Sequence, residues 1–358
     1  MTPPRTALGA LFAAALVLLP LGAAEGQAQG QGKAQSVADF YGKTEVSIIV
    51  GYNPGGTYDL YARMAARHLP RHLPGNPTIV VKNLEGVGSV KAANFLYAQA
   101  PRDGSTLGVV TQSLALQQVL KHAAVQYDAR KFGYVGRMTD AAEVTIVWHT
   151  VPVNTIEDAR KREVILGATS PDSSSDTNPR LMNEFAGTKF KIILGYKGTT
   201  GALNAMERGE VEGSLAVVQS LLVSNKDWIQ DKKVKVLVQY ALERHPAFPD
   251  APAMAELGQT PEDKEILRLY GSTAAVGRYL MTPPDVPKDR LAALRAAFDA
   301  MIKDPAFVKD MEEKNLDLAP MPGDKLQALI DSTFDISPQA AAKAAAAREV
   351  PDDKPGKK

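Results

Sequence analysis

From Thr44 to Tyr240 short apolar runs alternate with helical segments. "VSIIV" precedes "YDLYARMAARHL", "TIVVK" precedes "SVKAANFLYAQA", and "STLGVV" precedes "SLALQQVLKHA". The order repeats in "VTIVWH" before "TIEDARK", "VILGAT" before "TNPRLMNEFAG", and "KIILGY" before "TTGALNAMERG", with "VEGSLAV" and "VKVLVQY" as later strands. Such alternation predicts a parallel, doubly wound α/β sheet. There are more units than one simple lobe holds, and no eightfold barrel regularity, so two α/β lobes are expected. Two proline-bearing stretches interrupt the pattern: "VWHTVPVNT" near Val147–Thr155 and "RHPAFPDAPAM" at Arg244–Met254. They are expected to be crossings, with two strands acting as hinge. Lobe 1 would then be discontinuous, 44–147 and 244–340, with lobe 2 at 148–243 and a tail at 341–358.

The first residues follow a different rule. Arg5 is followed by an apolar stretch from Ala7 to Leu21 and then by small residues. That is the layout of a signal peptide, expected over 1–28, with cleavage after Ala24 or Ala28. The apolar run is shorter than the roughly 20 residues of a spanning helix. The chain has no cysteine, which excludes a disulfide framework, a thiolate metal site, a Cys nucleophile and a lipid-modified cysteine. A periplasmic product with no membrane insertion after signal removal is expected. A formal charge of +1 gives no overall field for nucleic acid, and no run of Lys and Arg suggests a local one.

No catalytic set is visible. There is no Gly-x-Ser-x-Gly elbow and no Walker A sequence, Gly-x4-Gly-Lys-Ser/Thr. His68 and His72 have the spacing of two zinc ligands on a helix, but Pro70 lies between them and no Glu follows His68. They are expected at the surface, at a helix end, and no metal site is expected. "GVGSVK" has two glycines of a dinucleotide fingerprint, but Lys91 stands at the third. No cofactor is expected.

What remains is a set of loops at strand carboxyl ends: "GYNPGGTYD", "EGVGS", "TQS", "TSPDSSSDT" and "GYKGTT". In open α/β sheets ligands sit at that edge, where helix N-termini present unpaired N–H groups. Glycine lets the backbone approach closely, and hydroxyls add donors without charge. Together the loops predict a pocket for a carboxylate or similar anion. Singly, each also reads as an ordinary strand-to-helix turn, with Thr57 or a serine as N-cap.

These residues resemble the periplasmic solute-binding receptors of tripartite tricarboxylate transporters, the Bug-type receptors. The resemblance rests on Pro54-Gly55-Gly56-Thr57-Tyr58-Asp59 with Ala62-Arg63 and on Asn83 with Gly86-Val87-Gly88. It continues through "PRDGSTLGVV", Tyr196-Lys197-Gly198, "FPDAPAMAELG" and "TPPDVPKDRLAALRAAF", covering Val46 to Ile330. Departures include Tyr52 and Asn53, Leu84-Glu85, where the family commonly has Arg-Pro and this chain gains an acid, the Asp-Ser-Ser-Ser-Asp loop, and Leu194-Gly195 in place of Val-Pro. The resemblance implies a type II periplasmic binding fold with a deep interlobe cleft. It implies a receptor for di- or tricarboxylates, acidic amino acids or aromatic acids, a partnership with membrane transporter subunits, and a monomer.

The expected ligand-binding residues of lobe 1 are Tyr52, Pro54, Gly55, Gly56, Thr57, Asp59, Gly86, Val87, Gly88, Ser89, Gln112 and Ser113. Those of lobe 2 are Thr169, Ser170, Ser173, Ser174, Ser175, Tyr196, Lys197 and Gly198. The glycines are expected to offer backbone donors, and Tyr52 with Tyr58 to favour an aromatic acid. Asp59 either caps its helix or accepts a hydrogen bond from an amine or water. Lys197 either pairs with a second carboxylate or lies on the rim. The rival readings are an exported α/β hydrolase, a sensor that engages a signalling protein, and a structural exported protein with no small ligand.

Overall fold

The computed structural model describes residues 36–171 and 173–348. The expected signal peptide and the end of the tail lie outside the described residues. Two sheets organise the chain. The first contains β1 (Val46–Val50), β2 (Ile79–Asn83), β3 (Thr106–Val109) and β4 (Phe132–Thr139). The second contains β5 (Glu143–Trp148), β6 (Val164–Gly167), β7 (Phe190–Ile193), β8 (Gly213–Val217) and β9 (Val234–Tyr240). β10 (Arg278–Pro284) and β11 (Met321–Pro322) return to the first. The strand orders are β11-β4-β10-β3-β1-β2 and β7-β6-β8-β5-β9. This is the expected two-lobed type II periplasmic binding architecture, α/β in each lobe.

Each sheet differs from a purely parallel one. β1 runs parallel to β2 and β3, and β6 parallel to β7 and β8. β10 is antiparallel to β3 and β4, and β5 is antiparallel to β8 and β9. β5 and β10 enter from the other lobe, with no crossover helix over their own sheet to turn them parallel, while β11, antiparallel to β4, is a two-residue edge strand that stays within the first lobe. β4 passes through Asp140–Ala142 directly into β5, so the second sheet begins at Glu143, ahead of the boundary expected at 147. The return also falls later than expected. Met254, Leu257, Ile266, Leu267 and Leu269 pack with Phe185, Leu215 and Val238 in the second sheet's core, and β10 starts only after Gly277. Ala340 and Ala344 join that same core. Lys343 holds the helix Pro338–Arg348 against the helix Pro261–Val276 through Asp263, at 2.6 Å.

The cores follow from strand periodicity. In "VSIIV", Ile48 and Val50 pack with Ala62 and Ala65 of the helix Thr57–His68. Ile49 points to the other face, against Val90 and Ala93 of the helix Val90–Ala98. Burial on both faces suits a near-continuous apolar strand, and each such side chain contributes roughly 1.5–3 kcal/mol. His68 is not at the surface as expected. It is 2% exposed. Its Nδ1 accepts from Arg71, and Nε2 donates to Asp310 at 2.7 Å. His72 bonds Asp304 at 2.9 Å. The pair therefore ties the helix Thr57–His68 and the turn after it to the segment Asp304–Glu313.

Candidate functional site

A cavity of about 490 Å³ opens at the carboxyl edge of the first sheet. Gly51, Tyr52, Asn53, Gly56, Thr57 and Tyr58 form one wall. Glu85, Gly86, Gly88 and Ser89 form another, and Arg278 closes it. All of these residues precede β4 or begin β10, so the lining belongs to the first lobe alone.

The first wall is held by a buried carboxylate. Asp59 is 1% exposed. It accepts the Gly55 N–H at 2.8 Å, Arg63 Nε at 2.7 Å and Nη2 at 3.0 Å, and Asn83 Nδ2 at 2.9 Å. Burial by itself raises its pKa. The hydrogen bonds from Arg63, Gly55 and Asn83 outweigh that and hold the carboxyl below the usual range. Asp59 thus acts at the start of its own helix, fastening "NPGG" to β2, and does not line the cavity. The Gly55 N–H, expected as a ligand donor, is taken by Asp59. Gly56, not Thr57, is the N-cap, and no side chain caps this helix. The first-turn N–H groups therefore stay available to whatever occupies the cavity.

The second wall is a run of left-handed backbone. Gly86, Val87, Gly88 and Ser89 have φ of 139°, 48°, 57° and 76°. Such values are rare for a β-branched residue, and conformational cost of this kind collects where loops meet ligands. Gly51 makes the turn possible by close approach, since a Cβ there would fall 1.8 Å from Ser89 Oγ. That Oγ accepts the Thr111 N–H at 3.2 Å, joining three strand ends.

Arg278 closes the site because β10 runs antiparallel, which brings its first residue to the edge where β1, β2 and β3 end. Nη1 donates to Gln112 Oε1 at 2.8 Å. Cζ lies 4.8 Å from the centre of the Tyr58 ring, a cation–π contact. Tyr58 stacks on Tyr52 at 4.3 Å with 20° between planes. Burial pushes the Tyr52 hydroxyl well above its ordinary pKa, so it stays a neutral donor. Arg278 Nε is buried without a protein partner. Among the described residues the Arg278 guanidinium has no carboxylate partner, unlike the arginines in ion pairs elsewhere in the fold.

The expected residues divide accordingly. Tyr52, Gly56, Thr57, Gly86, Gly88 and Ser89 come together in the lining. Pro54, Gly55, Val87, Gln112 and Ser113 stand just outside it, Gln112 as the prop of Arg278 and Tyr58. The lobe 2 residues lie on the second sheet's edge and largely satisfy one another. Ser175 Oγ accepts the Thr169 N–H at 3.1 Å and meets Ser173 Oγ at 2.9 Å, and Ser173 Oγ donates to the Ser170 carbonyl at 2.7 Å. Ser174 donates to Glu143 at 2.8 Å. Burial raises the Glu143 pKa, partly offset by Ser174, Arg278 and Asn178. Tyr196 packs beside Gly167, and Lys197 is exposed ahead of Gly198, which opens the helix Gly198–Glu207. Arg278 was missed because nothing in "AVGRYL" signals a strand that reverses. Glu85 was visible as a departure in "NLEGVG" but carried no assigned role.

Comparison with known proteins bears on the family and the fold. The profile of the family described as Tripartite tricarboxylate transporter family receptor matches residues 61–339. Protein BugT of Bordetella pertussis is 27% identical over 236 residues, 62% of this chain and 68% of that protein. A solute-binding protein from Polaromonas, solved without ligand, has a TM-score of 0.65 at 18% identity, covering 86% of this chain and 99% of that one. An R. palustris protein solved with adipate has a TM-score of 0.55 at 20% identity, covering 85% and 98%. The two solved structures share the fold.

Proposed function

Because the chain belongs to the tripartite tricarboxylate transporter receptor family, we propose that its first-lobe cavity captures a small organic carboxylate for delivery to a membrane transporter. Family and fold are those of binding proteins rather than enzymes. The observation that carries the ligand class is Arg278, a guanidinium on the cavity wall that makes no direct ion pair with a carboxylate of the described residues, although its charge is felt at Glu143 and Asp317. A ligand carboxylate completes it, with the Ser89 hydroxyl and the first-turn N–H groups after Gly56 as neutral donors. The adipate of the R. palustris neighbour belongs to this ligand class.

The lining comes from one lobe, so capture begins there. Thr169, Ser170, Ser173, Ser174, Ser175, Tyr196, Lys197 and Gly198 then form the wall that moves in when the lobes close about Asp140–Ala142 and Gly277. The receptor acts in the periplasm, and no helix of the described residues is long and apolar enough to cross a membrane. Thermal denaturation against a panel of carboxylates tests the reading. A ligand at 100 times its Kd stabilises the folded state by about 2.7 kcal/mol and raises the midpoint. A flat response to every acid, together with turnover of a chromogenic ester that Ser173→Ala abolishes, sinks it.

A further inference from the structure

The cavity contains one cation and one anion. Arg278 has no ion-pair partner, and Glu85 in the facing wall is exposed with neither an ion pair nor a hydrogen bond from the described residues. The two therefore do not neutralise each other. The rest of the lining is neutral: Asn53, Thr57 and Ser89, glycine backbone, and the rings of Tyr52 and Tyr58. Tyr52 and Tyr58 both line the cavity, their rings stacked on each other. The exposed large apolar side chains of the described residues are Val87 (59%), Ile193 (38%), Leu194 (38%), Val217 (37%) and Val223 (52%). Four of these five stand at strand carboxyl edges: Val87 beside the cavity, and Ile193, Leu194 and Val217 at the ends of β7 and β8. Isolated exposed apolar residues need no cause, but a set gathered on the edges that face a ligand cleft marks a contact surface. Several of the second lobe's hydroxyls bond one another or Glu143, so the exposed Ile193, Leu194 and Val217 share that edge with the exposed Ser170 and Lys197.

We propose that the cavity selects a carboxylate of single negative charge with a flat or apolar body, Arg278 taking the carboxylate and Glu85 repelling a second one. This rests on reading the cavity as a carboxylate site and adds what kind of carboxylate it takes. A di- or tricarboxylate gains only one cation in the lining and brings its further charge toward Glu85. A benzoate-like acid gains the same cation, the Tyr52 face and, on closure, the Ile193–Leu194 and Val217 edge. Lys197 lies on the second lobe's edge and outside the lining, so its charge does not offset Glu85 in the cavity.

Calorimetric titration of the full chain with benzoate and 4-hydroxybenzoate, and separately with adipate and citrate, tests the selection at neutral pH and low salt. The aromatic monocarboxylates are expected to bind at least about tenfold more tightly, the effect of one close like-charge contact. Glu85→Gln, at an exposed position where folding is insensitive, is expected to shrink that ratio by at least about fivefold through tighter adipate and citrate binding. A wild-type ratio below tenfold overturns the inference, as does a ratio that Glu85→Gln leaves unchanged. Adipate binding that is tightest of all and lost in Lys197→Gln overturns it in favour of a dicarboxylate bridged between lobes. If neither class of acid binds at millimolar concentration, the receptor reading falls, and the inference with it.

Discussion

The carboxyl edges of the two sheets are built alike and finished differently. In each, a strand, a polar loop and a helix place an aspartate in the first helical turn with an arginine four residues on: Asp59 with Arg63, and Asp176 with Arg180, both at 2.7 Å. At the first edge the loops are held open by Asp59 and by the left-handed turn at 86–89, and Arg278, held by Gln112 and Tyr58 but in no ion pair, lines the space between them. At the second edge the hydroxyls of Thr169, Ser173 and Ser175 close on each other, and apolar side chains face outward. The same motif thus yields a charged receiving surface in one lobe and a covering surface in the other. The difference comes from which charge the fold leaves without an ion pair, not from the local sequence pattern.

The strongest way to break the contrast is at the strand ends. Gly51→Ala drives a Cβ into Ser89 and is expected to cost about 1–3 kcal/mol by overpacking and to abolish binding. The equivalent Gly167→Ala meets nothing closer than 3.2 Å and is expected to cost clearly less. Paired thermal melts and titrations check this, and equal losses would show that the first edge is no more tightly built than the second. Next comes the cation. Arg278→Gln should weaken carboxylate binding by about ten- to a hundredfold, the value of a charge-assisted hydrogen bond, whereas Lys197→Gln should change it less than about threefold, as for a rim charge. The reverse order assigns the anchor to the second lobe.

A third test uses pH, because Asp59 and Glu143 shift in opposite directions. The Asp59 pKa is lower in the folded state, so its stabilisation is complete above about 3.9 and is lost as pH falls through its folded value. Asp59→Asn should therefore cost about 1–3 kcal/mol at neutral pH, with the gap to wild type narrowing in strong acid. Glu143 is raised in the folded state, so its charge counts against stability as pH rises from about 4.3 through the folded value. Glu143→Gln should be more stable than wild type at pH 7 and lose that advantage in acid. Chemical denaturation at several pH values distinguishes the two slopes. The smallest effect is expected at Val87, where glycine relieves a left-handed φ costing roughly 1–2 kcal/mol but adds unfolded-state freedom of about 0.5–1 kcal/mol. Val87→Gly should raise the melting point slightly, and a fall would mean that the side chain packs on something the turn requires.

Much of this molecule is legible along the chain. The short, near-continuous apolar runs separated by helices specify two α/β lobes, since such strands are stable only when covered on both faces. The glycine and hydroxyl loops after β1 and β2 mark the edge where a ligand sits, because only such residues permit that backbone. The lobe boundaries were harder to read: the helix Pro261–Val276 carries no sign of which core its Ile266 and Leu267 enter. The roles inside the site were harder still. Asp59 and Gly55 look like ligand groups until the fold brings Asn83 and Arg63 onto the same carboxylate. Arg278 sits more than 200 residues from Tyr52 in the sequence, and only the antiparallel entry of β10 brings it to the cavity. What the sequence by itself determined is the architecture and the chemistry each loop can offer, because both depend on local periodicity and residue type. Which donors remain free, and which charge faces the ligand, only the tertiary structure decided, because a hydrogen bond made between distant segments removes a group from the site as surely as deleting it.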